Sequence, residues 1–335
     1  MATLVTGATG FIGSRLCNQL AQDGQQVIAF CRRKNTPLLD HPRIQIAIGD
    51  VTDIESIDRA IKGCDTCYHL AGLARQWSPD EAAFKRVNVV GTSNVVQSAI
   101  GNSLRKIVFT STAGVFGPSV EAGFIDEQSR IPESHPTAYE STKREAERIV
   151  LEHCASGRIE ACIACPTRTF GPGPLTEANS VTQIMQRYES GKWRWVPGNG
   201  KAIGNYVFVD DVVRGLILAM DKGSSGSRYI LGGENLSFEQ VFALIKQHSS
   251  RQHNLIPIPR AAILAYSWCQ SLLARTFGRR PRLTLEFASR YFCDYLIRFP
   301  KTKAELGYDP RSLDDGVCQT MEWLRQEANG ANDGK

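Results

Sequence analysis

In the stretch AYESTKREAE, residues 138–147, a phenol and an ammonium stand four positions apart as Tyr139 and Lys143. On a helix both would lie on one face. A free phenol ionises near pH 10, out of range for a proton donor or acceptor near neutrality. An ammonium one turn away lowers that value through its charge, and the same cation can hold a ribose hydroxyl. A hydroxyl on another element would then fix the substrate oxygen, and KIVFTSTAGVFG, residues 106–117, offers Ser111 and Thr112. Tyr-x-x-x-Lys alone is a common accident. The elements around it must decide.

Through the first half of the chain, strand-like runs (ATLVTG, QQVIAFC, RIQIAIGD, TCYHLAG, KIVFTST, IEACIACP) alternate with segments whose apolar positions have helical spacing. This alternation predicts an α/β fold, a doubly wound parallel sheet with helical crossovers on both faces. The expected division is a dinucleotide-binding domain over residues 1–168, completed by part of 206–232. Residues 169–330 would form mainly a smaller, discontinuous substrate-binding region. Within it, Asp210 or Asp211 is expected to cap the helix VVRGLILAMDKG, and Ser237 with Glu239 to open the next one. The tail ANGANDGK reads as disordered.

LVTGATGFIGSRL places Gly7, Gly10 and Gly13 between the first strand and the first helix. Glycines there let the backbone turn tightly and approach a pyrophosphate, whose charge suits the free N–H groups of a helix start. At the end of the second strand a carboxylate would favour an unphosphorylated ribose. Here Cys31 is followed by Arg32, Arg33 and Lys34. Three cations and no acid predict NADP over NAD.

Composition narrows the partners. A net charge of +5 suits an anionic ligand but is too weak to indicate nucleic acid. The N-terminus enters a strand directly, without a signal-peptide pattern, and no apolar run reaches the length of a membrane span; a cytoplasmic protein is expected. Cys64-x-x-Cys67 and Cys162-x-x-Cys165 have the spacing of zinc ligands. Residues three apart on a strand point to opposite faces, so structural thiols and no metal are expected.

In combination, TGATGFIG, GDVTD, HLAG, NVVGT, VFTSTAGVFG, YESTK, FGPG, YVFVDDV and the late KAELGYDPR resemble the extended short-chain dehydrogenase/reductase family, NAD-dependent epimerase/dehydratase-like, over nearly the whole chain. The resemblance implies a Rossmann domain binding NAD or NADP and a smaller C-terminal domain closing over a small-molecule substrate. It implies that Gly7, Gly10 and Gly13, with the amides of Phe11 and Ile12, cradle pyrophosphate. Arg32 would face the 2′-phosphate, Asp50 and Val51 the adenine, and Leu70, Ala71 and Gly72 the floor beside it. Asn88 would support the strand ends and Pro166 sit near the nicotinamide. Tyr139 becomes the proton donor or acceptor, Lys143 its partner and ribose ligand, and Thr112 the substrate-positioning hydroxyl, with Ser111 the alternative. A homodimer through helices near 83–100 and 139–153 is implied by analogy.

Within that family, 4,6-dehydratases carry Asp-Glu after the catalytic threonine, where this chain has Ala113 and Gly114. Arg32 and PTRTFGPG look more like the dihydroflavonol reductase and 3β-hydroxysteroid dehydrogenase branch. The expectation is therefore an oxidoreductase acting on a carbonyl or secondary alcohol of a ring-containing molecule. An NAD-dependent nucleotide-sugar epimerase and a catalytically silent nucleotide sensor remain open as alternatives. Arg168 reads either as a ligand for an anionic substrate or as an ion-pair partner. The apolar segment with a basic end, IPRAAILAYSWCQSLLARTFGRRPR, could touch a membrane surface or line a lipophilic pocket. Its Ser267, Gln270 and Ser271 favour a plain amphipathic helix with a polar outer side.

Overall fold

The computed structural model describes residues 2–34, 37–121, 123–135 and 137–333. Strands β1 (Ala2–Thr6), β2 (Gln26–Cys31), β3 (Ile44–Ile48), β4 (Cys64–His69), β5 (Lys106–Thr110), β6 (Glu160–Pro166) and β10 (Arg228–Leu231) form one sheet in the order β10-β6-β5-β4-β1-β2-β3. Every pairing in it is parallel. The order reverses direction between β1 and β4, which opens a crevice at the carboxyl ends of those strands. Because helices cover both faces, central strands are buried along nearly their whole length rather than on alternate residues. All five residues of β5 are buried.

The covering helices are α1 (Phe11–Gln22), α2 (Ile54–Ile61), α3 (Ala82–Lys85), α4 (Gly91–Gly101) and α5 (Ala138–Ala155). A single π turn over Arg86–Val90 joins α3 to α4 and carries Asn88. Such turns interrupt the 3.6-residue period and re-aim one side chain. Helix α5 starts at Thr137, whose hydroxyl accepts from the Glu140 amide while donating to the Glu140 carboxylate. Cys64 and Cys67 lie on β4 and Cys162 and Cys165 on β6, all buried between sheet and helices. Among the described residues no group of His, Cys, Asp or Glu could hold a metal.

The remaining elements are β7 (Arg168–Phe170), α6 (Ser180–Glu189), β8 (Trp195–Pro197), β9 (Ile203–Phe208), α7 (Val209–Lys222), β11 (Glu234–Ser237), α8 (Phe238–His248), β12 (Ile256–Ile258), α9 (Arg260–Phe277), α10 (Leu285–Ser289) and α11 (Leu313–Asp333). Strands β7, β9 and β11 make a second, three-stranded sheet, and β8 pairs with β12. A separate core of Phe170, Met185, Tyr188, Phe208, Phe242 and Met321 joins β7, α6, β9, α8 and α11, whereas α7 packs on the main sheet through Val212, Val213, Leu216 and Met220.

Three local expectations change. Neither Asp210 nor Asp211 caps α7: Asp210 takes the Arg15 guanidinium at 2.6 Å and Asp211 that of Arg311 at 2.9 Å. The start of α8 is a capping box of Ser237 with Gln240 rather than Glu239. Helix α11 runs through Asp333, so most of the tail is helical, while Gly334 and Lys335 lie outside the described residues. A fourth change concerns α9. Its polar residues Ser267, Gln270 and Ser271 lie on the inner side with Ile263, and Tyr266, Trp268, Leu272, Leu273 and Phe277 face out.

Candidate active site

At the first strand-helix turn, Gly7 has φ +70°, and a Cβ on it would stand 2.7 Å from the Ala71 nitrogen. A Cβ on Gly13 would stand 2.2 Å from the Gly7 carbonyl oxygen. A side chain at Gly7 would push apart the two strand ends that border the crevice, and one at Gly13 would push α1 away from the turn. Thr6 ties those ends together, its carbonyl accepting from the Leu70 amide and its hydroxyl from the Ala71 amide, both at 3.2 Å. Gly10 is the N-cap of α1 and offers no side-chain cap, and the first turn holds no acid. The amides of Phe11, Ile12 and Gly13 thus point out of the helix start without internal partners, the arrangement that binds a phosphate pair.

Further along the same edge, Gly72 lies against Asn88 and Lys143: a Cβ there would meet the Asn88 oxygen at 3.3 Å and the Lys143 Nζ at 3.7 Å. The Asn88 amide donates to the Thr142 hydroxyl at 2.9 Å, and its oxygen accepts from the Leu73 amide at 2.7 Å. One side chain thereby locks the loop after β4 to α5. Asp50 and Val51 follow β3. The Asp50 carboxylate accepts from the amide and hydroxyl of Thr52, and buried Val51 packs where a side chain at Gly91 would clash. Arg32 is exposed after β2, with no carboxylate within 4 Å among the described residues. Pro166 is buried at the end of β6.

Tyr139, Lys143 and Thr112 come together where β5 ends and α5 begins. Thr112 follows β5 in extended conformation, and its hydroxyl accepts from the Gly114 amide at 3.2 Å. Ser111 faces the other way, donating at 2.5 Å to Glu147, which also holds Arg228 at 2.9 Å. That serine is committed to a buried ion-pair network. Lys143 is buried, with its Nζ 4.3 Å from the centre of the Phe109 ring and no hydrogen-bond acceptor or carboxylate in reach among the described residues. Burial lowers its pKa to about 8, against the attraction of Glu147. An ammonium so largely desolvated and without a protein acceptor is costly unless a ligand supplies one.

Half-buried Tyr139 is pushed up to about 12, first by burial and then by the Glu140 charge. The charge that most opposes this is Arg290 rather than the expected Lys143, and the Thr112 hydroxyl also lowers it. Arg290 comes from just past α10, far along the chain. Its Nη1 lies 2.5 Å from Glu140 Oε1, a charge contact at an angle outside that of a hydrogen bond. Glu140 is 2% exposed, and its Oε1 fills the space a side chain at Gly114 would need, at 2.6 Å from the Cβ position. A dehydratase-type glutamate at 114 would collide with it. Sequence reading missed Arg290, which no spacing connects to Tyr139. Glu140 was readable as the third helical residue after Thr137.

The far wall is aromatic. Arg168 sits over the rings of Tyr206, Phe238 and Tyr295 at 5.4–5.6 Å and donates to the Tyr206 hydroxyl at 3.1 Å. Arg290 lies 5.3 Å from the same Tyr295 ring, and Tyr291 packs edge-on to Phe238. Arg168 has no carboxylate within 4 Å among the described residues, so it is not an ion-pair partner. His69, by contrast, is internally satisfied between Thr6 at 2.7 Å and Thr92 at 3.0 Å, and burial lowers it to about 3.

A sequence model described as the NAD dependent epimerase/dehydratase family matches residues 3–232. The chain belongs to that family. It is an oxidoreductase or epimerase of the extended short-chain dehydrogenase/reductase type. The sterol demethylase protein B of Methylococcus capsulatus is 30% identical over 334 residues, covering 97% of this chain and 99% of that protein. A 4-hydroxy-2-methyl-3-oxo-4-farnesyl-3,4-dihydroquinoline-1-oxide ketoreductase of Stigmatella aurantiaca is 26% identical, covering 97% and 96%. The fold matches that of a dTDP-glucose 4,6-dehydratase from Streptomyces venezuelae solved with NAD and TYD bound, at TM-score 0.79 and 22% identity over 97% of each chain. In this family member the crevice, the glycine turn and the largely buried Lys143 ammonium suit a nicotinamide dinucleotide.

Proposed function

We propose that the protein is an NADP-preferring oxidoreductase that interconverts a carbonyl and a secondary alcohol on a ring-containing small molecule. The observation carrying this reading is the meeting, where β5 ends and α5 begins, of Tyr139, Thr112 and a Lys143 ammonium with no acceptor among the described residues. A nicotinamide dinucleotide bound along the crevice supplies or takes the hydride. Gly7, Gly10 and Gly13, with the amides of Phe11 and Ile12, hold its pyrophosphate. Asp50 and Val51 lie beside the adenine, with Leu70, Ala71 and Gly72 along the floor and Pro166 at the nicotinamide end. Lys143 donates to ribose hydroxyls, and Asn88 keeps α5 and the floor loop in register.

Tyr139 holds its proton at neutral pH, and even a phenol with a raised pKa is a stronger acid than the alcohol formed, so it can protonate the developing alkoxide of a carbonyl being reduced. Thr112 holds that oxygen by a second hydrogen bond. The aromatic wall of Phe238, Tyr291 and Tyr295 suits a ring, and Arg168 offers a charged handle for an oxo or acidic group. The ring substrates in the names of the ketoreductase and sterol-demethylase relatives support the same class. NADP preference rests on Arg32, exposed and without a carboxylate within 4 Å among the described residues.

An NAD-dependent nucleotide-sugar epimerase is the second reading, favoured by Arg168, whose uncompensated guanidinium would also suit a diphosphate. One experiment separates the two. The purified protein is denatured and any released nucleotide identified, then the apoprotein is titrated with NADPH and NADH. Empty protein preferring NADPH supports the reductase; near-stoichiometric retained NAD supports the epimerase and defeats the Arg32 argument.

A further inference from the structure

Helix α9 is built inside out for a helix bathed in water. An ordinary surface helix buries its apolar stripe and shows water its polar residues. Here Ser267 is fully buried and donates to the Ile263 carbonyl at 2.8 Å, and the Gln270 oxygen accepts from the Arg282 amide. The Ser271 hydroxyl is buried with no partner among the described residues. The opposite side shows Tyr266, Trp268, Leu272, Leu273 and Phe277, which are 43–71% exposed. The ten described exposed positions from Ala261 to Phe277 carry no charge. A continuous exposed apolar face of this kind marks an interaction surface.

Its charge surroundings are one-sided. Residues 240–285 hold seven Lys or Arg and no Asp or Glu, which leaves the rest of the chain with 32 basic against 34 acidic residues. The whole positive excess of the protein therefore lies in this segment. Arg279, Arg280 and Arg282 are exposed just past the end of α9, and Arg260 is exposed at its start. Only Arg280 of the three is engaged with a carboxylate among the described residues, that of Glu177.

We propose that α9 and the Arg279–Arg282 turn dock the protein on the surface of an anionic lipid bilayer. The helix lies in the interfacial plane with Trp268, Leu272, Leu273 and Phe277 among the acyl chains and the arginines on headgroup phosphates. Tryptophan and tyrosine suit that boundary because each has an apolar body and a polar tip. No helix among the described residues is long and apolar enough to cross a membrane, so contact is peripheral. A second copy of the chain fits the face less well. Two-fold antiparallel pairing would set the basic turn of one copy against the Arg260 end of the other, where among the described residues only Arg280 has a carboxylate, that of Glu177, to offset it.

The face also adjoins the candidate site. Eight residues after Arg282 comes Arg290, which holds Glu140 beside Tyr139. Glu177, the partner of Arg280, accepts from the Gln76 amide in the loop after β4. Docking would thus present the crevice mouth to the lipid surface, although the docking claim does not depend on the proposed reaction.

Flotation of the purified full-length chain with vesicles tests it directly. One vesicle set is phosphatidylcholine alone, and the other contains added phosphatidylglycerol. The expected result is flotation with the anionic set at low salt, with binding about tenfold weaker to the neutral set. Trp268→Glu with Leu272→Glu should abolish it, and Arg279→Glu with Arg282→Glu should weaken it about tenfold, as should raised salt. Both variants sit at exposed positions, and unchanged melting temperatures verify that they fold. Failure to float with either set, or flotation indifferent to the Trp268 variant, overturns the proposal. So does a dimer, seen by sedimentation velocity, that the Trp268 variant dissociates, because the face then serves a second copy.

Discussion

Two walls flank Tyr139, and they are assembled on different principles. The strand-end wall (the glycine turn, the floor loop, Thr112 and Lys143) comes from segments that leave one parallel sheet at one edge. Its atoms are fixed by backbone geometry and short hydrogen bonds, such as those of Thr6 and Asn88. The other wall is gathered from Arg168, Tyr206, Phe238, Arg290 and Tyr295, which span more than a hundred residues and meet through ring packing and charge. One wall fits a ligand part common to a large family; the other can vary with substrate. Each also brings a cation to the site, Lys143 from the first and Arg290 from the second.

The sharpest way to break this comparison is Tyr139→Phe, which keeps the ring and removes the proton. If Tyr139 is the acid, turnover should fall by about 10²–10⁴-fold, while cofactor affinity stays within a factor of about two. Steady-state kinetics and fluorescence titration measure the two quantities. Unchanged turnover would end the catalytic assignment and revive the silent nucleotide-binding protein.

Lys143→Met comes next and separates function from stability. Activity should drop about a hundredfold with weaker cofactor binding, yet the protein should become more stable. Lys143 has a folded pKa near 8, below its ordinary 10.5, so the unfolded chain binds its proton more tightly. The burden on folding is therefore full below about pH 8 and fades as pH rises toward 10.5. At neutral pH it is on the order of 3 kcal/mol, and methionine removes it. A higher melting temperature at pH 7 for the variant, converging with the wild type by pH 10.5, is the expected signature.

Much of the first wall was legible because its chemistry is local in sequence. The glycine turn, the Tyr139–Lys143 spacing and the strand ends at Thr112 and Pro166 are each set within a few residues, and alternating strands and helices fix a doubly wound sheet. The second wall was not legible, since nothing in residues 285–295 states that Arg290 will fold back onto α5. Glu140 shows the middle case. Its capping role follows from Thr137 three residues earlier, but its contact with Arg290 and its filling of the space above Gly114 depend on tertiary packing. For α9 the period revealed two faces, one polar and one apolar. Period alone cannot say which face turns inward, and the ordinary assumption pointed the wrong way.

Arg290→Met probes the second cation. With its lowering charge gone, Tyr139 should ionise at still higher pH, so the alkaline rise of the oxidative rate should move upward. At a fixed pH the rate should fall about tenfold for each pKa step. Arg290→Lys should restore most of the profile, which a purely structural arginine would not require. Because the single change leaves Glu140 buried and unpaired, at a cost of about 3 kcal/mol, the Glu140→Gln with Arg290→Met double variant serves as the stability control.

The smallest effect belongs to the far end of the crevice. If Arg32 meets a 2′-phosphate, Arg32→Ser should raise the KM for NADPH about five- to tenfold and leave that for NADH unchanged, the loss expected for one exposed charge-assisted contact. Arg33 and Lys34 are also exposed beside it, so they should retain part of the preference. Raised salt should therefore weaken NADPH binding further in the variant, whose remaining attraction is longer-ranged and more easily screened. Equal KM shifts for both cofactors would place Arg32 on a group the two share, and the first wall would then lose its one feature that distinguishes NADP from NAD.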